Sequence, residues 1–275
     1  MVLSVSPRVS VVIPAYNAQS TIASTLRSIL AQSVTDIEVL VVDDCSRDGT
    51  AMVVQQIATE DTRCRYIKLP VNAGGPAHPR NVGIEQARAP WIALCDSDDL
   101  WHPAKLELQL AAAEQAGSRF LCTQMADFDD EAAIRHEPLP PSGHQLPLVP
   151  FALGDLLRKN RIATSSVLIQ RALVHEAGGF DPDRGLIAVE DYDLWLRCVA
   201  LTGKPVLRLE WPLVDYRKAP TSLSGNKLKQ ARKVWRVLGR HYSRQSSLFA
   251  RLNQPLMFLH YLFSAVFLRL WMRSL

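Results

Sequence analysis

Cysteine is scarce in this chain, and its spacing excludes the usual metal and disulfide frameworks. The five cysteines form no C-x-x-C pair and lie far apart: Cys45, Cys64, Cys95, Cys122 and Cys198. Neither a zinc site nor a set of structural disulfides is therefore predicted, and a reducing compartment is the simpler interpretation. The N-terminal segment also lacks the basic start and the small-residue cleavage site of a secretory signal, so no signal peptide is expected.

Two nucleotide-binding motifs are missing as well. The first apolar run, "VSVVI", is followed by "PAYN" rather than by the G-x-G-x-x-G of dinucleotide-binding folds. The chain also contains no P-loop of the form G-x-x-x-x-G-K-[ST]. A dinucleotide-dependent enzyme and a Walker-type NTPase are both disfavoured.

Acidic residues are absent from the end of the chain. No Asp or Glu follows Asp215, whereas 12 Lys and Arg lie between Tyr216 and Leu275. The first 215 residues hold the remaining 19 basic and all 27 acidic residues, a net charge of −8. An acidic body with a purely basic tail indicates an anionic partner for the tail.

The pattern of the tail predicts two helices. Basic residues repeat every four positions and form one stripe, Arg232, Arg236, Arg240 and Arg244, extended by Lys229 and Lys233. An apolar segment follows from Pro255 to Trp271. The longest stretch there without a charged side chain, residues 252–268 with His260 included, is about 17 residues long, at or just under the length that spans a bilayer. A basic amphipathic helix followed by an apolar one is typical of attachment to an anionic membrane surface. The alternative is that both helices pack on the globular domain or on a second copy of the chain, as in a homo-oligomer. Nothing suggests nucleic-acid binding.

Apolar runs that alternate with helical patterns predict the fold class. Buried strands are expected at Val9–Ile13, Ile37–Val42 and Trp91–Cys95, with helices between them. This alternation predicts an α/β fold with a mainly parallel, Rossmann-like sheet flanked by helices, and with the basic helices as a C-terminal extension. Ligands bind at the carboxyl ends of such strands. Those ends hold Pro14–Asn17, Asp43–Asp44 and Asp96–Asp99.

Four motifs, taken together and in order, resemble the family 2 glycosyltransferases, which have the GT-A fold. They are "VVIPAYN", "VVDDCSRDGT", "NAGGPAHPRNVGIEQARAPWIALCDSDD" and "VEDYDLWLR", and the resemblance runs from about Val9 to Arg217. It implies a nucleotide-sugar-binding half in residues 1–115 and an acceptor-binding half in residues 116–225. The basic and apolar helices then occupy residues 226–275.

The resemblance also implies roles for eight residues. Asp44 would recognise the nucleotide base, and Pro14, Ala15 and Tyr16 would line the base and ribose pocket. Asp96 would face the ribose, Asp98 would hold a divalent metal, Mn²⁺ or Mg²⁺, on the donor diphosphate, and Arg80 would lie close to that diphosphate. In the "VED" run the catalytic base is placed on Asp191, with Glu190 as the alternative. Such a base removes the proton of the acceptor hydroxyl while the hydroxyl attacks the anomeric carbon.

Each carboxylate motif also has a purely structural interpretation. Asp98 and Asp99 could cap the helix that follows them, and Asp43 and Asp44 could close a turn. Acidic residues in a first turn, such as Glu190 and Asp191, suit the helix dipole without any catalysis. The metal interpretation has its own physical reason, because a hard dication would compensate both the carboxylates and the donor phosphates. Four histidines, His78, His102, His136 and His144, show no ligand spacing and are expected in surface or loop positions.

The resulting prediction is an inverting, metal-dependent glycosyltransferase that moves a sugar from a nucleotide-sugar donor to an acceptor hydroxyl. The acceptor is expected to be a lipid-linked or cell-surface glycan precursor, and the protein is expected in the cytoplasm, peripheral at the inner face of the cell membrane. Two alternatives stay open. One is a phosphatase that uses the D-x-D motif, and the other is a catalytically silent, membrane-tethered nucleotide-sugar-binding module.

Overall fold

The computed structural model describes residues 6–129, 146–218, 227–243 and 254–259. Its N-terminal half is a parallel sheet in the strand order β3-β2-β1-β4. The four strands are β1 (Val9–Ala15), β2 (Ile37–Asp43), β3 (Cys64–Lys68) and β4 (Trp91–Leu94). Every residue of β2 is buried, and β1 is buried except for a partly exposed Pro14. Both faces of this sheet are therefore covered, as the continuous apolar runs predict.

Helices connect these strands and follow the last of them. They are α1 (Ile22–Leu30), α2 (Thr50–Glu60), α3 (Ala77–Gln86) and α4 (Lys105–Ala116). Helix α3 begins before Asn81, where the sequence pattern predicts it, so Pro79 and Arg80 lie in its first turn. Proline is tolerated there because the first amide groups of a helix have no partner within the helix. Gly83 of α3 lies so close to β1 that a Cβ atom would collide with Val12.

The second half extends the same sheet and is mixed. Its strands are β5 (Leu100–Trp101), β6 (Phe120–Phe128), β7 (Leu148–Phe151), β8 (Leu168–Gln170) and β9 (Val206–Arg217). Strand β8 joins the halves by pairing antiparallel with both β4 and β6, and β9 pairs parallel with β6 and antiparallel with β5 and β7. The predicted α/β class with a helix-flanked sheet is confirmed, while the second half combines the parallel pair β6–β9 with antiparallel pairs.

Three helices accompany the second half: α5 (Leu153–Arg158), α6 (Arg171–Glu176) and α7 (Glu190–Thr202). The core of this half surrounds Trp195 of α7, whose ring meets Phe120 at 5.0 Å and Phe180 at 6.0 Å between centroids. The sequence "ATSSVLIQ" suggests one strand, but Thr164–Ser166 form a short 3₁₀ turn before β8 begins. That turn lies beside β4, and it carries two residues of the site described below.

The basic tail begins with a helix, α8 (Lys227–Ser243), as the stripe of basic residues predicts. It packs on the domain through four buried side chains, Val234, Val237, Leu238 and Tyr242. In the part of the chain that the structure describes, no helix is long and apolar enough to cross a membrane. The segment from residue 260 onward, Arg244, His136 and His144 lie outside the described residues. His102 is buried rather than at the surface, and its Nδ1 accepts a hydrogen bond from the Ala104 amide at 3.1 Å.

Candidate active site

A cleft of about 830 Å³ opens at the carboxyl ends of β1, β2 and β4, where the fold class predicts a ligand. Residues from both halves line it. All eight residues singled out in the sequence lie in its wall: Pro14, Ala15, Tyr16, Asp44, Arg80, Asp96, Asp98 and Asp191. They come from five separate stretches of the chain, so the fold brings together what the sequence places up to 177 positions apart.

Hydrogen bonds between two loops hold the first wall of the cleft. The loop after β1 and the loop after β2 bond to each other through Asn17, whose Oδ1 accepts from the Arg47 amide at 2.9 Å and whose own amide donates to Ser46 Oγ at 2.9 Å. The next amide, that of Ala18, donates to Thr50 Oγ1 at 2.8 Å. Asn17 and Cys45 both adopt the left-handed backbone conformation that these tight turns require. The "PAYN" turn and Asp44 are therefore presented on a braced pair of loops.

The two aspartates that end β2 have different surroundings. Asp43 is buried and closes the turn, since its Oδ1 accepts from the Ser46 amide at 2.9 Å and its Oδ2 accepts from the Tyr66 hydroxyl at 2.6 Å. Asp44 lies in the cleft wall, where its Oδ1 accepts from the Ala73 amide at 2.7 Å. The turn-closing role that the sequence allowed for both residues belongs to Asp43.

The three carboxylates of the "DSDD" run also differ. Asp99 is buried and accepts hydrogen bonds from Ser165 Oγ and, at 3.1 Å, from the Arg217 amide. Burial, and then the charge of Asp96, raise the pKa of Asp99 to about 8. Asp98 lines the cleft, and burial together with the charge of Asp96 raises its pKa above the ordinary value. Neither residue caps α4, because the N-cap position of that helix is Ala104 and has no side-chain cap.

Arg80 connects the two halves of the domain. Its side chain is only 4% exposed, and its terminal nitrogens donate to Asp96 Oδ1 and Glu190 Oε1, each at 2.7 Å. Its guanidinium also lies 5.3 Å from the centre of the Phe180 ring. Burial opposes the charged form, but the charges of Asp96 and Glu190 outweigh it and raise the Arg80 pKa further. Arg80 is thus ion-paired with two carboxylates, one from each half of the domain.

Glu190 and Asp191 begin α7 side by side but make different contacts. Glu190 is buried and ion-paired with Arg80. Asp191 lines the cleft, with Oδ2 accepting from Thr164 Oγ1 at 3.1 Å and Oδ1 accepting from the Tyr192 amide at 2.6 Å. Burial, followed by the charge of Glu190, raises the pKa of Asp191 to about 6 against the opposing charge of Arg80. A carboxyl group with a pKa close to physiological pH is suited to proton transfer.

Some residues of the cleft were not singled out in the sequence. Thr164 is one, since its stretch suggested only a strand. Arg217 is another: it donates from Nε to the Asp98 carbonyl at 3.0 Å and packs its guanidinium on Phe128 at 4.6 Å. The "YR" pair at the end of β9 was visible in the sequence, but its position against the "DSDD" turn depends on β9 pairing with β5 and β6.

Comparison with known proteins identifies the family. Residues 10–167 match the model of the family described as "Glycosyl transferase family 2", which is more than half of the chain. The chain belongs to glycosyl transferase family 2. It is similar to an Escherichia coli protein, "UDP-Glc:alpha-D-GlcNAc-diphosphoundecaprenol beta-1,3-glucosyltransferase WfgD", with 29% identity over 233 residues, 84% of this chain and 85% of that protein. The predicted family and the transferase activity are confirmed.

Solved structures support the same fold. The Staphylococcus aureus TarS fragment 1–349, solved in complex with UDP, is similar with a TM-score of 0.69 at 21% identity, over 94% of this chain and 71% of that one. The mannosyltransferase PcManGT of Pyrobaculum calidifontis, solved with GDP-Man and Mn²⁺, is similar with a TM-score of 0.63 at 18% identity, over 94% and 70% of the two chains. The GT-A fold is therefore confirmed, and enzymes with this fold include one crystallised with a divalent metal.

Proposed function

We propose that this glycosyltransferase moves a sugar from a UDP-sugar to a hydroxyl of a lipid-diphosphate-linked glycan, with inversion at the anomeric carbon. The observation that carries the proposal is the cleft in which five separate stretches of the chain bring the eight predicted site residues together. The similarity to WfgD supports the donor, the acceptor class and a β-linked product, since its name states all three.

The donor is proposed to lie along the braced loops after β1 and β2. Asp44 accepts a hydrogen bond from the base, and Pro14, Ala15 and Tyr16 form the apolar side of the base and ribose pocket. Asp96 is proposed to face the ribose. Arg80 holds one of its carboxylate oxygens, and the Asp96 side chain is 37% exposed and so accessible to a ligand. Arg80 places its positive charge beneath the diphosphate and keeps Asp96 oriented.

Asp98 is proposed to hold the divalent metal. Among the described residues no group of three His, Cys, Asp or Glu forms a complete metal cage. Mg²⁺ and Mn²⁺ suit a site built from one or two carboxylates completed by substrate phosphates. Burial and the charge of Asp96 raise the pKa of Asp98, so a cation bound beside it would stabilise its charged form. When bound, the metal would stabilise the charge on the departing diphosphate.

Asp191 is proposed as the general base. It accepts the proton of the acceptor hydroxyl as the hydroxyl oxygen forms its bond to the anomeric carbon. The bond from that carbon to the diphosphate oxygen breaks at the same time, and the nucleoside diphosphate leaves with the electron pair. Attack opposite the leaving group inverts the configuration, as in inverting glycoside hydrolysis. Glu190 is less suited because its Oε1 is committed to Arg80.

The two alternatives are not favoured. A D-x-D phosphatase of the haloacid dehalogenase type carries that motif near its first strand, whereas here it follows β4. A silent binding module would not need Asp191 in the cleft in addition to the donor-side residues. Membership of glycosyl transferase family 2 disfavours both.

The experiment that tests the proposal is a transfer assay with UDP-glucose, UDP-GlcNAc and GDP-mannose against synthetic sugar-diphospholipid acceptors. We expect turnover with a UDP-sugar, loss of turnover in EDTA, and recovery on addition of Mn²⁺ or Mg²⁺. Asp98→Ala should be inactive, while Glu114→Gln, an exposed carboxylate of α4, should match the wild type. Full activity in EDTA would remove the metal from the mechanism, and turnover with GDP-mannose alone would contradict the proposed donor.

Attachment to the inner face of the membrane is proposed for the end of the tail. Trp235, Leu256 and Leu259 are 40%, 59% and 60% exposed, and the Trp235 ring meets Phe258 at 4.9 Å. Leu256 and Leu259 therefore expose apolar side chains at the start of the segment that continues to Trp271 in the sequence. The basic stripe offers a membrane less positive charge than its number of residues suggests, because Arg236 and Arg240 are ion-paired with Asp183.

Flotation with liposomes tests the attachment. The full chain should float at low salt with vesicles that contain anionic lipid, and a chain ending at Ser243 should not. The shortened chain keeps α8, because this helix buries apolar side chains on the domain and its removal would expose the surface that it covers. If the full chain fails to float, packing or self-association of the tail replaces the membrane proposal.

A further inference from the structure

The loop that leads into α7 is backbone-strained next to the site. It runs from Phe180 to Val189, and two of its residues, Ile187 and Ala188, line the cleft. Ala188 has a φ of +70°, a left-handed conformation that is unfavourable for residues other than glycine. Such a conformation persists only where the surroundings enforce it. Asp191 follows three residues later, so the direction of this loop sets where its carboxyl group lies.

Helix α8 supplies the contacts that enforce this conformation. Lys233 donates from Nζ to the Ile187 carbonyl at 2.5 Å, and Gln230 donates from Nε2 to the Ala188 carbonyl at 3.0 Å. These are two successive carbonyl groups at the strained position. The donors themselves are fixed, because Val234, Val237 and Leu238 bury one face of α8 on the domain.

A second set of contacts holds the start of the same loop. Arg240 donates to Asp181 Oδ2 at 2.5 Å and to Asp183 Oδ2 at 2.6 Å. The remaining oxygens of the two aspartates close the loop itself, with Oδ1 of Asp181 accepting from the Asp183 amide at 2.9 Å and Oδ1 of Asp183 accepting from the Gly185 amide at 2.8 Å. The backbone of the loop is therefore tied to α8 through both carboxylates.

The loop is also shaped to receive α8. A Cβ atom at Gly185 would collide with the guanidinium of Arg236, which is ion-paired with Asp183 at 2.9 Å. The absence of a side chain at this position leaves room for the Arg236 guanidinium in its ion pair with Asp183.

We infer that α8 positions the general base, and that Gln230 and Lys233 are positioning residues which hold the loop before Asp191 in its strained conformation. The inference rests on the proposed role of Asp191. The basic stripe of the tail then has a function inside the protein, because Lys233, Arg236 and Arg240 contact the loop that precedes Asp191.

The test compares full-length variants at two places on α8. Lys233→Met keeps the apolar stem and removes the donor, and Gln230→Glu keeps the shape but replaces the donor with a carboxylate. Arg232→Met is the matched control, because it removes a basic side chain from the exposed side of the same helix. Lys233→Arg restores a donor and should restore the wild-type behaviour.

Two measurements follow. Hydrogen exchange of the backbone in residues 184–193, monitored by mass spectrometry, should accelerate by about tenfold or more in Lys233→Met and Gln230→Glu but not in Arg232→Met. In the transfer assay, kcat should fall on the order of 10- to 100-fold, since small displacements of a reacting group have such effects. The dissociation constant for UDP with Mn²⁺ should stay within about twofold, because the nucleotide is proposed to bind along the loops after β1 and β2, not at the loop before α7.

The outcomes distinguish this inference from the proposed function. Unchanged exchange and unchanged kcat in Lys233→Met would overturn the positioning role while leaving the proposed function intact. Equal losses in Arg232→Met and Lys233→Met would also overturn it, because the effect would then be one of charge alone. If Asp191→Asn keeps full activity, the proposed base is wrong, whereas the exchange measurement still reports whether α8 holds the loop.

Discussion

Replacement of Asp191 by asparagine should have opposite effects on catalysis and on stability. Asparagine has nearly the same shape, and its amide oxygen can still accept from the Tyr192 amide. Its amide nitrogen faces Thr164 Oγ1, which can accept a hydrogen bond as well as donate one. The substitution therefore removes a charge and a proton acceptor and leaves the packing in place. We expect kcat to fall on the order of 10²–10⁴-fold, the usual contribution of a general base.

The effect on stability follows from the raised pKa. The carboxyl group of Asp191 has an ordinary value of 3.8 and a folded value of about 6, because burial and Glu190 disfavour its charged form. The folded state thus binds the proton more tightly, and the stability that this provides is fully present below pH 3.8 and is lost as the pH rises through 6. At 1.36 kcal/mol for each pKa unit, the charged carboxylate costs the fold up to about 3 kcal/mol above pH 7.

Thermal unfolding in EDTA, without donor, measures this cost. Asp191→Asn should melt on the order of 5 °C above the wild type at pH 8, with the difference shrinking toward zero at pH 4. Glu114→Gln, on the exposed side of α4, should show no such trend. In the wild type, kcat/KM should decline below about pH 6, as the base is protonated. A melting difference that does not change with pH, or a variant that melts below the wild type at pH 8, would refute the reasoning.

Two further substitutions test the buried charges. Arg80→Met should destabilise the fold by about 3–5 kcal/mol in urea unfolding, because Glu190 is left buried without its partner. Adding Glu190→Gln should recover part of that loss, and additive losses would contradict the ion pair. Lys105 is fully buried against the Trp101 ring at 3.8 Å, and burial lowers its pKa to about 7. Between pH 7 and about 10 the unfolded chain binds a proton at Lys105 that the folded chain has already released. The free energy of unfolding of the wild type should therefore increase over this range, and Lys105→Met should abolish the increase. Parallel pH profiles for the two proteins would exclude this account of Lys105.

The outline of the donor side could be predicted from local sequence. Continuous apolar runs identify β1, β2 and β4 as buried strands, and the carboxyl ends of parallel strands meet at one edge of a sheet. Polar residues that directly follow such strands must then lie close together, as Asp44 and Asp96 do. The family motifs added Asp191, which no local rule could have placed across the cleft from Asp98.

What could not be predicted depends on contacts between distant segments. The two glycines and two prolines of "NAGGPAHPRN" predict a loop that includes Arg80, so the sequence does not show which carboxylates this residue pairs with. In the structure the helix starts at Ala77, and the first turn places Arg80 between Asp96 and Glu190. The basic stripe is compatible with a membrane surface and with packing on the domain, since charge patterning in a sequence does not show where acidic partners lie. Asp183 precedes Arg236 by 53 positions and Asp181 precedes Arg240 by 59, and helix α7 and strand β9 lie between them.

The three carboxylates of the "DSDD" run show how one short acidic stretch can be stable before any ligand arrives. Asp96 is compensated by the buried guanidinium of Arg80. Asp99 is buried and has a pKa raised to about 8, so it can carry a proton near neutral pH while it accepts hydrogen bonds from Ser165 and from the Arg217 amide. Asp98 lines the cleft with a raised pKa, so an added cation would stabilise its charged form. The same guanidinium pairs with Glu190, the neighbour of the proposed base. A change of charge at Asp96 therefore alters the ion pair between Arg80 and Glu190, and Glu190 and Arg80 in turn act on the pKa of Asp191 with opposite signs.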